Sequence, residues 1–179
     1  SYIIGDDAAG RRVLGACAAA ARRGVAVRVL YDGFGSANAA FHGLFRRYRR
    51  VPGFRLRVFS QANVFRRRFQ LHLRSHRKIL VVDGVRAFTG GVNFSAVYLP
   101  SGGRAPTIDF HFEVRGPVVR DLQYAFLRDW YYMTDETAES LLSARFFPDL
   151  ASVGPAAARL VNSGPTADEE ANALALFFA

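Results

Sequence analysis

The stretch SHRKILVVDG, residues 75–84, holds the only lysine of this 179-residue chain, Lys78; every other permanently cationic side chain is arginine. The lysine stands two residues after His76, in an apolar run that ends at Asp83-Gly84, a dipeptide favoured in hairpin turns. Residues two apart on a strand share a face. His76 and Lys78 therefore project together, while Arg77 and Ile79 point the other way. An imidazole beside a compact ammonium suits phosphate chemistry. The imidazole is a nucleophile or a general acid, and the ammonium holds a phosphoryl oxygen. Arginine is a poor substitute in a pocket that admits only a compact charge. Beyond the turn, VRAFTGGVN (85–93) reads as a second strand, ending in Gly90-Gly91 and Asn93. A glycine pair lets backbone approach a ligand closely. An asparagine amide donates to an anionic oxygen without adding charge.

Working outward, DDAAGRRVLGACAAAARRG (6–24) predicts a helix capped by Asp6 or Asp7 and ended by Gly24. The valine-rich VAVRVLYDG (25–33) is a buried strand, and helix followed by such a strand predicts α/β organisation with largely parallel strands. SANAAFHGLFRRYRR (36–50) fits a second helix, with Phe41, Leu44, Phe45 and Tyr48 at helical spacing. FRLRVF (54–59) alternates as a strand; ANVFRRRFQLHLRS (62–75) is a loop followed by an extended segment. In IDFHFEVRG (108–116), Ile108, Phe110, Phe112 and Val114 fall on one face, and Asp109, His111, Glu113 and Arg115 on the other. Pro117 opens a helix over VVRDLQYAFLRDWYYM. A proline-containing linker follows. Then ARLVNSGP (158–165) reads as a short strand and residues 166–179 as a helix, with Thr166 and Glu169 spaced as a capping box. The opening SYIIG reads as a strand that begins abruptly.

Half the residues are apolar, enough for one packed core, and the net charge of +9 favours an anionic partner. Nucleic acid, anionic lipid and phosphorylated small molecules all satisfy that charge, and part of the arginine excess is explicable by genomic base composition. The single cysteine, Cys17, excludes a disulfide framework within the chain and reads as a small buried residue. No run of about 18 apolar residues is present to span a membrane.

The pattern His76-x-Lys78-x-x-x-x-Asp83, then six residues, then Gly90-Gly91-x-Asn93, resembles the HKD motif of the phospholipase D superfamily. RRGVAVRVLYDGFGS (22–36) and IDFHFEVRGPVVRDLQYAFLRDW (108–130) resemble the segments flanking that motif in the N-terminal half of bacterial cardiolipin synthases, and VNSGP (161–165) resembles the opening of their second half. The resemblance implies an α/β fold with a mixed, largely parallel sheet flanked by helices. It divides the chain into an HKD-containing half over residues 1–150, with a truncated N-terminus, and the beginning of a second similar unit over 157–179. In the family two HKD motifs meet across a pseudo-twofold axis. One histidine attacks phosphorus to form a phosphohistidine, the other protonates the leaving alcohol, and water or a second alcohol resolves the intermediate, with no metal or cofactor. The resemblance thus implies catalytic roles for His76, Lys78, Asp83 and Asp109, and phosphate binding by Lys78, Gly91 and Asn93. Asp83 carries a share in the turn. Asp109 would hold the second ring nitrogen of a nucleophilic histidine.

The implied partners are an anionic phospholipid and a membrane surface, with nucleic acid less favoured. The implied location is the bacterial cytoplasmic membrane, peripheral or anchored by segments outside this chain. Only one HKD motif is present. The second lies beyond residue 179, or comes from a homodimer mate, or the piece is inactive alone as a basic binding module. Other notable residues carry plainer readings. His72 is a flanking polar residue, His42 a surface or satisfied core histidine, and His111 either lines the pocket or faces solvent. The FRRRF run (65–69) is a solvated face, Trp130, Tyr131 and Tyr132 are core, and Asp32 and Ser36 in YDGFGS serve loop geometry.

Overall fold

Asp7 ends its extended backbone where helix α1 (Ala8–Arg22) begins, and its carboxylate accepts the free amide of Gly10. That is the predicted cap. The computed structural model describes residues 1–59, 62–63, 68–69, 75–100, 105 and 107–162. Strand β1 (Val27–Asp32) is buried on both faces. Val27, Val29 and Tyr31 face α1, while Leu30 faces the opposite side. It runs parallel to β2 (Phe54–Phe59), with Val27 opposite Phe54 and Asp32 opposite Phe59.

The connection between them departs from the predicted single helix. Helix α2 covers only Ala37–Phe41, Gly43 turns left-handed at φ 76°, and Leu44–Arg47 form one 3-10 turn. The break rotates Leu44, Phe45 and Tyr48 into the core and leaves Phe41 exposed. Two-residue strands β3 (Ala62–Asn63) and β4 (Arg68–Phe69) pair antiparallel. Most of the FRRRF run, and His72, lie outside the described residues.

The hairpin forms as predicted. Strand β5 (Ile79–Val82) and strand β6 (Arg86–Gly90) pair antiparallel around Asp83 and Gly84, both left-handed at φ 53° and 70°. Strand β7 (His111–Arg115) adds to β6, again antiparallel. The expectation of a largely parallel sheet is therefore corrected: the fold is mixed α/β, parallel at β1–β2 and antiparallel through β5–β7. A three-residue turn, Asp83 to Val85, can join only antiparallel strands, and among its described residues the segment to β7 holds one 3-10 turn (Ala96–Tyr98) and no crossover helix.

Helix α3 (Val118–Met133) ties these pieces together. Its first turns set Val119 and Leu122 against Ala87, Ile79, Val81 and Val114, and its last turns set Leu127 and the fully buried Trp130 against Leu30. Tyr131 is half-buried and Tyr132 exposed, so of the three aromatics only Trp130 is wholly core. Helix α4 (Ala138–Leu141) adds Leu141 to that cluster.

On the other side the N-terminal segment, expected as a strand, forms a single isolated bridge and a few backbone hydrogen bonds instead. Ser1 donates to the Leu30 carbonyl at 3.0 Å, Ile4 forms a parallel bridge with Phe94, and Gly5 donates to the Phe94 carbonyl at 2.8 Å. Cys17 is half-buried against the same cluster, and burial raises its thiol pKa. Residues 155–162 form no strand among the described residues, although Leu160 packs on the Val119–Leu122 cluster. The rest of the expected second unit lies outside the described residues.

Candidate active site

Residues Ser75–Lys78 are the extended lead-in to β5, which begins one residue after Lys78. Their side chains alternate as the sequence predicts. Arg77 turns toward α3, where one guanidinium nitrogen reaches both oxygens of the buried Asp129 at 2.8 Å, and Ile79 packs into the apolar cluster below. His76 and Lys78 turn the other way and meet at Tyr2. The His76 imidazole stacks on the phenol ring with centroids 4.0 Å apart and planes 21° apart. The Lys78 ammonium sits 5.7 Å from the centre of the same ring. His76 is otherwise solvent-exposed.

Two buried anchors hold this lead-in. Besides Asp129, Asp32 (3% exposed) accepts the Ser75 amide at 3.1 Å through one oxygen and the Phe34 and Gly35 amides at 2.9 Å through the other. Asp32 therefore does more than shape its own loop: it pins the residue before the histidine. The Asp32 and Ser36 positions are visible in the sequence, but their targets 43 and 34 residues away are not.

Asp109 lies close to the lysine. In the sheet register His111 pairs with Gly90, and Lys78 is the residue beyond the Ile79–Thr89 pair, so the three lie in one row. The room opened by the glycine pair is taken by the chain itself. A Cβ on Gly91 would strike the Asp109 carboxylate, one on Gly90 the Phe110 carbonyl, and the Gly91 amide donates to that carbonyl at 2.9 Å. Partial burial lowers the Lys78 ammonium below the ordinary lysine value, with the Asp109 carboxylate opposing; His111 is lowered by burial against the same opposition. Among the described residues no hydrogen bond joins Asp109 to His76.

Two expected site residues stand apart from this group. Asp83 occupies the exposed hairpin turn, five residues along the chain from Lys78 and so roughly 16 Å away at strand rise. Asn93 is 6% exposed: its carbonyl accepts the Ile3 amide and its amide donates to the Tyr98 hydroxyl, both at 3.1 Å. It braces the segment that carries Tyr2. Of the other histidines, His42 stays exposed, 4.0 Å from Asp6. On the face toward which Ile79 points, opposite the His76 and Lys78 side chains, the lead-in borders a cleft of about 260 Å³ lined by Ile79, Thr89, Phe112, Leu122 and Leu160. No group of three or more potential metal-ligating side chains is assembled among the described residues, and no helix there is long and apolar enough to cross a membrane.

The sequence is similar to those of known proteins. A family model described as "Cardiolipin synthase, PLD-like domain" matches residues 1–102. Cardiolipin synthase A of Pseudomonas entomophila is 35% identical over 178 residues, covering 99% of this chain and 35% of that protein. Cardiolipin synthase A of Pseudomonas aeruginosa strain LESB58 is 38% identical over 181 residues, covering 99% and 34%. Cardiolipin synthase of Geobacillus kaustophilus is 36% identical over 173 residues, covering 92% and 32%. The chain spans about a third of the length of these curated relatives. With the family model covering more than half its residues, the chain belongs to the phospholipase D-like family of cardiolipin synthases.

Proposed function

We propose that the chain supplies one catalytic half of a phosphatidyltransferase of cardiolipin synthase type. The observation that carries this reading is the pairing of an exposed His76 with Lys78 on one aromatic ring, on the sheet face turned away from the apolar cluster.

Lys78 binds a phosphoryl oxygen; Asn93, its amide engaged by the Tyr98 hydroxyl, braces the segment that carries Tyr2, and Gly91 gives Asp109 room beside the site. His76 acts in one of two roles. As nucleophile, a ring nitrogen forms a bond to phosphorus while the bond to the leaving alkoxide breaks, and a second imidazole gives that oxygen a proton. An acceptor alcohol then reverses the sequence, losing its proton to the second imidazole. As general acid, His76 supplies the proton and the second imidazole forms the phosphohistidine. Asp109 helps to keep Lys78 charged against its partial burial, and Asp83 serves the turn. The second imidazole comes from a further HKD unit, in the same protein or in a second copy. The product is a membrane lipid, so the site works at a membrane surface.

The test is lipid analysis after the complete protein is incubated with phosphatidylglycerol vesicles. Cardiolipin and glycerol should form together and disappear in His76→Ala. An acid-labile, base-stable phosphoryl label on His76 identifies the nucleophile. Unchanged lipids with folded protein remove the reading. The charge of +9 favours one alternative, a phosphodiesterase in which water resolves the intermediate and the substrate is nucleic acid. Strict dependence on lipid excludes it.

A further inference from the structure

Tyr2 contacts both chemically active side chains, yet lies 74 residues before the nearer one and belongs to no part of the HKD motif. We propose that Tyr2 is a positioning residue: its ring face fixes the plane of the His76 imidazole and seats the Lys78 ammonium beside it. This rests on the function proposed above.

The ring is held in a built socket. The buried hydroxyl of Ser36 donates to the Tyr2 carbonyl at 3.1 Å and accepts the Ile4 amide at 3.0 Å. Asn93 accepts the Ile3 amide. Gly35 lies flat against Tyr2: a Cβ there would meet the Tyr2 carbonyl at 2.5 Å and its ring at 2.9 Å, so a side chain at position 35 would expel the ring. Asp32 holds both this loop and Ser75, setting wall and histidine from one carboxylate.

Stacking an imidazole on a phenol face removes rotation about its second side-chain torsion, while the other ring face and the nitrogens stay open to substrate. The ring quadrupole attracts a cation lying over it. A phosphoryl group between His76 and Lys78 thus meets a fixed imidazole and a fixed charge, which lowers the barrier by orientation. An aromatic pair and a cation–π contact together correspond to roughly tenfold in rate.

The experiment compares Tyr2→Phe and Tyr2→Leu in the complete protein, by steady-state kinetics on phosphatidylglycerol vesicles and by NMR of the His76 ring protons. Phenylalanine keeps the ring and should stay within about twofold of wild type. Leucine should lower kcat roughly tenfold with KM little changed, and should move the His76 ring protons downfield as the stacking shift vanishes. Wild-type kcat in Tyr2→Leu, or ring-proton shifts equal in all three proteins, overturns the inference and leaves the proposed function standing. If Tyr2→Leu does not fold, Tyr2→Phe and the wild-type cross-relaxation between the Tyr2 and His76 rings decide. Loss of kcat in the phenylalanine variant, or absent cross-relaxation, overturns it. A wild-type protein without turnover removes the proposed function, and this inference with it.

Discussion

Replacing Asp32 by asparagine preserves shape and removes one acceptor oxygen, at a carboxylate 3% exposed that accepts three backbone amides. The amide oxygen takes the position that serves Phe34 and Gly35, since that keeps two bonds, and its NH2 group then faces the Ser75 N–H. One charge-assisted bond of roughly 1.5–3 kcal/mol is lost, with donor facing donor. The remaining two fall from charged to neutral strength, about 0.5–1 kcal/mol each. The sum is roughly 2.5–5 kcal/mol. At a urea dependence of about 2 kcal/mol per molar, the denaturation midpoint should fall by about 1.2–2.5 M. Turnover should fall further than the loss of folded protein accounts for, because the released amide belongs to the residue before His76. Urea titration by circular dichroism, paired with lipid turnover at low urea, reads both. A midpoint within about 0.3 M of wild type, with turnover unchanged, would refute the view that Asp32 pins the lead-in.

Two other outcomes follow from the geometry. Lys78→Arg keeps the charge but replaces a point ammonium with a longer planar fork, and should cost about 10²–10³ in kcat with little change in melting temperature; near-wild-type turnover would show that charge alone suffices. Glu136 provides a test on stability. Its burial pushes the carboxyl pKa upward, but hydrogen bonds from Arg28 at 2.8 Å, Trp130 at 2.9 Å and Arg55 at 2.6 Å overcome this and hold it at about 2, against an ordinary 4.5. A depressed carboxylate contributes stability above its unfolded value and loses it as pH falls from about 4.5 to about 2. Partial solvent contact screens that contribution to about 1–2 kcal/mol. Glu136→Gln should be less stable by that amount at neutral pH and should show a flatter stability curve across the same window; superimposable urea midpoints from pH 6 to pH 3 would contradict the assignment.

Local periodicity made the core of the site legible. The two-residue alternation through 75–79 separated Arg77 and Ile79 from His76 and Lys78, and Asp83-Gly84 announced the hairpin. Strand direction was less accessible. A valine-rich run indicates burial on both faces, correct for β1, but it does not name the neighbouring strand, and β5–β7 proved antiparallel. Helical spacing at Phe41, Leu44, Phe45 and Tyr48 concealed the break at Gly43, because three of the four still reach the core after it. Gly90-Gly91 looked like a place for a ligand to approach; the approaching group is the Asp109–His111 backbone and carboxylate. Tyr2 had no local signal, since a stacking partner 74 residues away is set by how the N-terminal segment joins β1 to Phe94.

Arg77 and Lys78 show why the lone lysine stands where it does. They are adjacent and equally charged, and they face opposite sides of one strand. Arg77 meets a fixed, buried carboxylate, so a planar guanidinium with several donors on a weakly hydrated head is the suitable cation for a permanent contact. Lys78 meets a ring face, with Asp109 near enough to act on it but no carboxylate in salt-bridge contact among the described residues. A guanidinium there would find Asp109 or the Tyr2 face bidentate or stacked and would settle on them. An ammonium is a single point charge that a phosphoryl oxygen can claim and release. In a chain that otherwise uses arginine for every permanent cation, the proposed function makes the one lysine the position where the contact is temporary.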